Sequence, residues 1–220
     1  MVIFPTMLLP GTHRFNLVGG HLALDFLNTV GSHRLLTPRE DLAHPEDVVS
    51  WGLQTGWLDS ERAQAMLVEL QLRPSEARAA LVRIRAFREA LFRVFLAVSE
   101  DAQPGPDVLE PFEREVRRAW AERRLVRTER GDYRWSSPES ARLDAVIPVV
   151  ALAASELLTG PQRTRLRLCE ATAHDGCGWL FLDTTRNRSR RWCEMRSCGN
   201  KYKARRHYAR TRAGRRQRDR

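Results

Sequence analysis

Residues 169–198 read CEATAHDGCGWLFLDTTRNRSRRWCEMRSC and hold all four cysteines of the chain. The cysteines form two pairs, Cys169-x7-Cys177 and Cys193-x4-Cys198, separated by fifteen residues. Two thiolate-bearing loops joined by an apolar hairpin form a layout that suits one tetrahedral structural Zn²⁺. Small residues beside the ligands allow the backbone to turn tightly and point N–H groups at sulfur. Here Gly176 and Gly178 flank Cys177, and Gly199 follows Cys198. Trp179, Phe181 and Trp192 are the apolar groups available for the core of so small a module. Structural zinc would supply much of the remaining folding energy, on the order of 10–16 kcal/mol at neutral pH. Unrelated buried thiols and two disulfides are the competing readings.

The cellular compartment bears on that choice. The N-terminal MVIFPTMLLPGTHRF has no basic stretch before its apolar residues and is broken by Pro5 and Pro10, which makes it a poor secretory signal. No window approaches the roughly 18 uninterrupted apolar residues of a membrane span. The expected location is the cytoplasm, where thiols stay reduced and a metal is favoured over disulfides.

Charge divides the chain unevenly. Residues 185–220 contain 15 Lys/Arg against Glu194 and Asp219, a local balance of +13. The whole chain carries +10, so the residues before this segment sum to −3. A nearly neutral body therefore bears a cationic tail, and the tail is the part that should meet a polyanion.

The body reads as helical. His44 to Gly56 has Pro45 and two acids in a first turn and a glycine at its end, and a second helix is expected over Ser60 to Leu72. The longest follows Pro74 and reaches Ser99, with Ala77, Leu81, Ile84, Leu91, Phe95 and Val98 on one face and Arg and Glu on the other. Val108 to Arg124 should follow as a helix with Leu109, Phe112, Val116, Ala119 and Trp120 inward. LVRTERGDYRW predicts a β-hairpin around Arg130-Gly131-Asp132. Ser137-Pro138-Glu139 reads as the start of a helix reaching Leu158, kinked or divided at Pro148 and stopped by Thr159-Gly160-Pro161. Trp51, Trp57, Trp120 and Trp135 read most simply as core.

The predicted fold class is mainly α: a helical N-terminal domain over 1–160 with a small β-hairpin, then a zinc-binding β-hairpin plus helix over 161–213. Residues 214–220 form a basic arm. The helix beginning near Cys198 carries Met195, Cys198, Tyr202 and Ala209 as a narrow stripe facing the metal loops. Lys201, Arg205 and Arg212 lie to one side of it, and Lys203, Arg206 and Arg210 nearly opposite. A helix cationic on both flanks cannot be buried, but it can lie in a groove between two rows of phosphates. A solvated basic end is the plainer alternative. Arg190 and Arg191, just before Cys193, join the candidate nucleic-acid contacts. Asn200 could cap the helix, bond a cysteine sulfur or meet a base edge.

CxxxxCGNK before a basic helix, preceded by CGWLFLD and RRWC, resembles the CGNR zinc-finger family. GGHLALDFLNTV, Gly19 to Val30, resembles the start of the ABATE domain that accompanies this finger in bacterial stress-induced transcription regulators. The resemblance implies zinc ligands at Cys169, Cys177, Cys193 and Cys198 and a DNA-binding C-terminal module. Two departures stand out. The tetrapeptide ends in Lys201, which keeps the charge without the forked guanidinium. The first cysteine pair is also more widely spaced than the family's usual short loop, which leaves His174 as an alternative ligand to Cys169.

His21, Asp25 and Asn28 would share one face of a helix, where they could bind a small ligand or perform acid–base chemistry, or else cap and cross-link the N-terminal segment. There is no Gly-rich phosphate loop, nucleophile elbow or HExxH, so no enzymatic activity is expected. Two functions remain: a transcription regulator whose body senses a small-molecule effector or forms a homodimer, and an RNA- or ribosome-associated zinc protein.

Overall fold

A computed structural model describes residues 14–31, 38–136, 141–171 and 176–208. Among the described residues, six α-helices build the body: α1 (Leu22–Leu27), α2 (Pro45–Thr55), α3 (Ser60–Leu72), α4 (Pro74–Ser99), α5 (Pro106–Ala121) and α6 (Val146–Thr159). The hairpin β1 (Leu125–Arg127) and β2 (Tyr133–Trp135) lies between α5 and α6. A second antiparallel hairpin, β3 (Leu166–Leu168) and β4 (Leu180–Leu182), begins the C-terminal module. The final helix, α7, opens with a π-turn at Met195–Gly199 and continues as α-helix over 200–208. The fold is mainly α, as the sequence periodicity predicts.

Local chemistry sets the ends of α2 and the start of α3 where the sequence placed them. Pro45 opens α2, the Asp47 carboxylate accepts from the His44 N–H at 2.7 Å, and Gly56 ends the helix at φ 73°. Only glycine adopts that left-handed conformation at no steric cost. The Asp59 carboxylate caps α3 by accepting from the Arg62 N–H at 2.8 Å.

The core runs along α4. Phe26, Trp51 and Phe95 are fully enclosed, and the Phe26 ring meets Trp51 edge-on at 5.6 Å. Arg88 departs from the expected pattern: it belongs to the buried side of α4, at 2% exposure, rather than to the solvent face. Its guanidinium forms a fork on Glu40 at 2.7 and 2.6 Å and donates to the Thr29 hydroxyl at 3.1 Å. A buried arginine needs such pairing, because removing one partner would strand the other charge in the core.

Further expectations are corrected. Helix α5 spans Pro106–Ala121 rather than Val108 to Arg124, and Trp120 is 43% exposed rather than inward. Phe112 and Ala119 are the buried residues of that helix, and Trp120 lies at the edge of their stripe. Trp135 is also exposed, at 48%, and the two indoles meet edge-on at 5.6 Å outside the core. The last body helix starts with a 3₁₀ turn at Leu143–Ala145, well after the proposed Ser137 cap, which lies outside the described residues. Pro148 is consequently the third residue of α6, in its first turn, where a missing N–H breaks no bond within α6.

Gly160 does cap α6, so the sequence boundary coincides with a helix stop. The hydrophobic core nevertheless crosses it. Leu166, Leu180 and Leu182 of the second hairpin are at most 3% exposed and pack in the same cluster as the helices. Full burial of one leucine is worth about 1.5–3 kcal/mol, so this hairpin is fastened to the body by its own side chains.

Candidate metal centre and nucleic-acid interface

The four cysteine sulfurs lie within 4.8 Å of one another. Cys177 Sγ is 3.7 Å from Cys193 Sγ, which is 3.6 Å from Cys198 Sγ. A tetrahedron with metal–sulfur bonds of about 2.3 Å has edges of about 3.8 Å. The cluster therefore fits a single four-coordinate ion, and none of its members forms a disulfide. Cys169 belongs to it fully; His174 lies outside the described residues.

Each sulfur is positioned by a nearby turn. Gly176 and Gly178, at φ 66° and 68°, bend the chain on either side of Cys177. The Cys169 N–H donates to the Trp179 carbonyl at 2.9 Å, continuing the hairpin up to the first ligand, and the Cys193 N–H donates to Cys169 Sγ at 3.4 Å. Cys198 is carried by the π-turn, in which the Gly199 N–H reaches back to the Glu194 carbonyl at 3.1 Å. A Cβ on Gly199 would press on the thioether of Met195, a flexible side chain that is 50% exposed, and would lie 3.4 Å from the Trp192 ring, so the backbone runs close beneath both.

Thiols this close cannot all ionise unaided. Hydrogen bonding to Cys169 pushes the Cys177 and Cys193 thiols up, and their bonds in turn lower the Cys169 thiol below its ordinary value. A bound cation removes this conflict by stabilising all four thiolates together.

Asp183, which the sequence reading missed, organises the loop between the cysteine pairs. Fully buried, it accepts from the Thr185 N–H at 2.9 Å, the Thr185 hydroxyl at 2.5 Å and the Arg190 N–H at 2.8 Å. The available sequence signal was the Asp-x-Thr spacing of a side chain that bonds its own backbone two residues on.

The basic residues fall into two groups. Arg190 is turned inward: its guanidinium donates to the carbonyls of Trp192 (3.0 Å), Leu182 (3.3 Å), Val18 (3.4 Å) and Cys193, and lies over the Phe181 ring at 4.4 Å. Arg191 is exposed, pairs with Glu170 at 2.5 Å, and stands over the rings of Trp192 and Tyr202 at 5.0 and 5.4 Å. Those two rings are 5.5 Å apart, with Tyr202 in the turn of α7 that follows the π-turn. Lys201, Lys203, Arg205 and Arg206 on the same helix are all exposed. Of the proposed stripe, Cys198 faces the metal loops, Met195 is 50% exposed instead of packed there, and Ala209, Arg210 and Arg212 lie outside the described residues. The Asn200 amide donates to the Arg196 carbonyl at 3.2 Å within the helix.

His21, Asp25 and Asn28 sit on and around α1. His21 Nδ1 caps the helix by accepting from the Ala23 N–H at 3.3 Å, and burial lowers its pKa. Asp25 accepts from the Gly19 N–H at 2.8 Å, while its own burial raises its pKa to about 6. The Asn28 amide bonds the Leu180 backbone across the junction between body and module.

A helical domain fastened to a module with four clustered cysteines and a basic exit helix defines a class of two-part proteins with a site built for one metal ion. The family model described as "Putative stress-induced transcription regulator" (ABATE) matches residues 20–161. The CGNR zinc finger model matches residues 165–211. The first match alone spans more than half the chain, and the chain belongs to the ABATE family, with a CGNR zinc finger after it. No curated protein matches the chain. Among the described residues no helix is long and apolar enough to cross a membrane.

Proposed function

We propose that this chain is a zinc-dependent, DNA-binding transcription regulator of the cytoplasm, in which the C-terminal module holds DNA and the helical body senses a small molecule or forms a homodimer. The reading rests on α7: an exposed cationic helix whose opening π-turn carries Cys198 of the metal cluster and whose next turn packs Tyr202 against Trp192. Zinc is the metal best suited to four thiolates in a reducing compartment, and the family description supports it.

The zinc would act structurally. Four sulfurs fill a tetrahedral shell, which leaves no position for a substrate or an activated water, and the proposed role is accordingly not enzymatic. Lys201, Lys203, Arg205 and Arg206 would contact phosphates, and Arg210 and Arg212, which follow in sequence, add to the same cationic charge. Arg191 could join them from the side of the Trp192–Tyr202 pair, whereas Arg190 is assigned to holding the module together.

Electrophoretic competition between duplex DNA and structured RNA at matched, physiological salt tests this reading. Preference for the duplex supports the regulator, and preference for RNA replaces it with an RNA-associated zinc protein. Deletion from Gly199 onward that leaves both affinities unchanged would remove nucleic acid altogether.

A further inference from the structure

The face of the β1–β2 hairpin that carries its aromatic residues lies in water. The Thr128 N–H donates to the Asp132 carbonyl and the Ser136 N–H to the Arg124 carbonyl, both at 2.7 Å. Counting from those bonded pairs, Leu125–Trp135 and Arg127–Tyr133 are non-hydrogen-bonded pairs, whose side chains approach most closely and share one face of the ribbon. On that face Leu125 is 57% exposed, Tyr133 66% and Trp135 48%. Trp120, near the end of α5, adjoins it through its edge-on contact with Trp135. Taking roughly 150–250 Å² for a whole aromatic side chain, the three rings leave on the order of 300 Å² in water. That is the size at which exposed apolar patches serve as binding surfaces.

Arginines accompany the rings. Residues 123–139 contain Arg123, Arg124, Arg127, Arg130 and Arg134 against Glu129, Asp132 and Glu139, a balance of +2. Glu122, just before them, is paired with Arg118 of α5. Among the described residues none of the five arginines forms an ion pair. Arg123 stands over the Trp120 ring at 5.6 Å, and Arg127 is the cross-strand neighbour of Tyr133 on the aromatic face. Tyr133 meets no other ring among the described residues, so its phenol is open to a stacking partner.

We propose that this hairpin binds single-stranded nucleic acid, with bases stacked on Tyr133, Trp135 and Trp120 and phosphates held by Arg123 and Arg127. A planar base matches an exposed ring, and stacking of this kind tolerates any sequence. An arginine beside a ring adds a cation–π contact as well as a charge for the backbone. Other occupants fit less well. A second copy of the chain would set five unpaired arginines against five more. An acidic peptide would satisfy the arginines, but its carboxylates give the rings nothing to stack on. A duplex keeps its base faces inside, whereas an unpaired strand offers them. The hairpin precedes α6, and the basic helix α7 follows it in the metal module. The proposal therefore does not rest on the regulator reading above.

Fluorescence anisotropy of short labelled oligothymidylate and oligouridylate on the full, metal-loaded chain tests the proposal, with unlabelled duplex in saturating excess to occupy α7. Saturable binding that persists in the excess duplex is expected, and the tighter of the two strands identifies DNA or RNA as its source. Tyr133→Ala should weaken it about tenfold, the size of one lost base–ring stack, and Tyr133→Phe, which keeps the ring, should not. Trp135→Ala should weaken it likewise, with circular dichroism confirming the fold. Mobility shifts of duplex should be the same for all three variants and the parent. Arg127→Gln should flatten the logarithmic salt dependence of strand binding by about 0.7. Absence of strand binding in excess duplex overturns the site, as does strand binding indifferent to both Tyr133→Ala and Trp135→Ala. Displacement of the strand by oligoglutamate of equal charge overturns the choice of nucleic acid. A chain that shifts no duplex can still bind the strands in these titrations, and the reverse, so the two readings fail separately.

Discussion

The side-chain amide of Asn28 bonds the backbone of Leu180 in both directions: Nδ2 donates to the Leu180 carbonyl at 2.9 Å, and Oδ1 accepts from the Leu180 N–H at 3.1 Å. Asn28 ends α1 in the body, and Leu180 begins the second strand of the metal module's hairpin. One amide thus stands in for the next strand of the sheet and satisfies two backbone groups at a junction where both residues are buried.

Asn28→Ala should therefore be costly. It strands a buried N–H and a buried carbonyl, each worth about 1–3 kcal/mol, so a loss of about 2–6 kcal/mol is expected. Asn28→Asp keeps an acceptor for the Leu180 N–H but loses the donor, and also buries a charge; it should not rescue. Thermal unfolding followed by circular dichroism reads both, and an unchanged midpoint for Asn28→Ala would refute the junction's importance.

Metal removal should be felt beyond the module. One zinc per chain is expected by metal analysis of protein purified without a polyhistidine tag. Cys193→Ser or Cys198→Ser should lose the metal, and because Leu166, Leu180 and Leu182 share the body's core, the helical domain should also melt at a lower temperature. Acid should release the metal as protons compete for the thiolates. A metal-free chain with an intact C-terminal fold would contradict the zinc reading.

Asp25 gives a pH dependence with a defined sign. Burial raises its pKa from 3.8 in the unfolded chain to about 6 in the folded protein. The folded state therefore binds more protons across that interval, and stability falls as pH rises from about 4 to about 6. Asp25→Asn keeps an acceptor for the Gly19 N–H without the charge. Its stability curve should lack this decline, so that at neutral pH it exceeds the parent by about 1–3 kcal/mol. Parallel curves for the two proteins over that interval would show that Asp25 titrates normally.

Arg190 and Lys203 should respond in opposite ways to substitution. Lys203→Ala should leave thermal stability unchanged and flatten the logarithmic salt dependence of DNA affinity by about one unit. Arg190→Ala removes the donor to four carbonyls and should destabilise the module before any effect on binding can be read. If about six phosphates are neutralised by the intact helix, affinity should fall roughly a thousandfold between 50 and 200 mM salt. An alanine variant on α7 that weakens one sequence selectively would mark a base-reading side chain.

The local chemistry of this chain was legible in its sequence. Pro45, Gly56, Pro74 and Gly160 mark helix ends because restricted or permissive φ angles act within a few residues. The cysteine spacing and its glycines announced the metal cluster for the same reason: a tetrahedral site is assembled from two tight turns. Tertiary structure decided what depends on distant partners. Arg88 looks like any solvent-facing arginine of an amphipathic helix until Glu40 and Thr29 are brought to it from another part of the chain. Arg190 looks like one more cation in a basic run until the carbonyls of Val18 and Leu182 surround it. Trp120 and Trp135 look like core until the hairpin leaves them on the surface beside each other. The module boundary is a helix stop in the sequence, but whether the core also stops there depends on where three leucines are buried, and they are buried in the body.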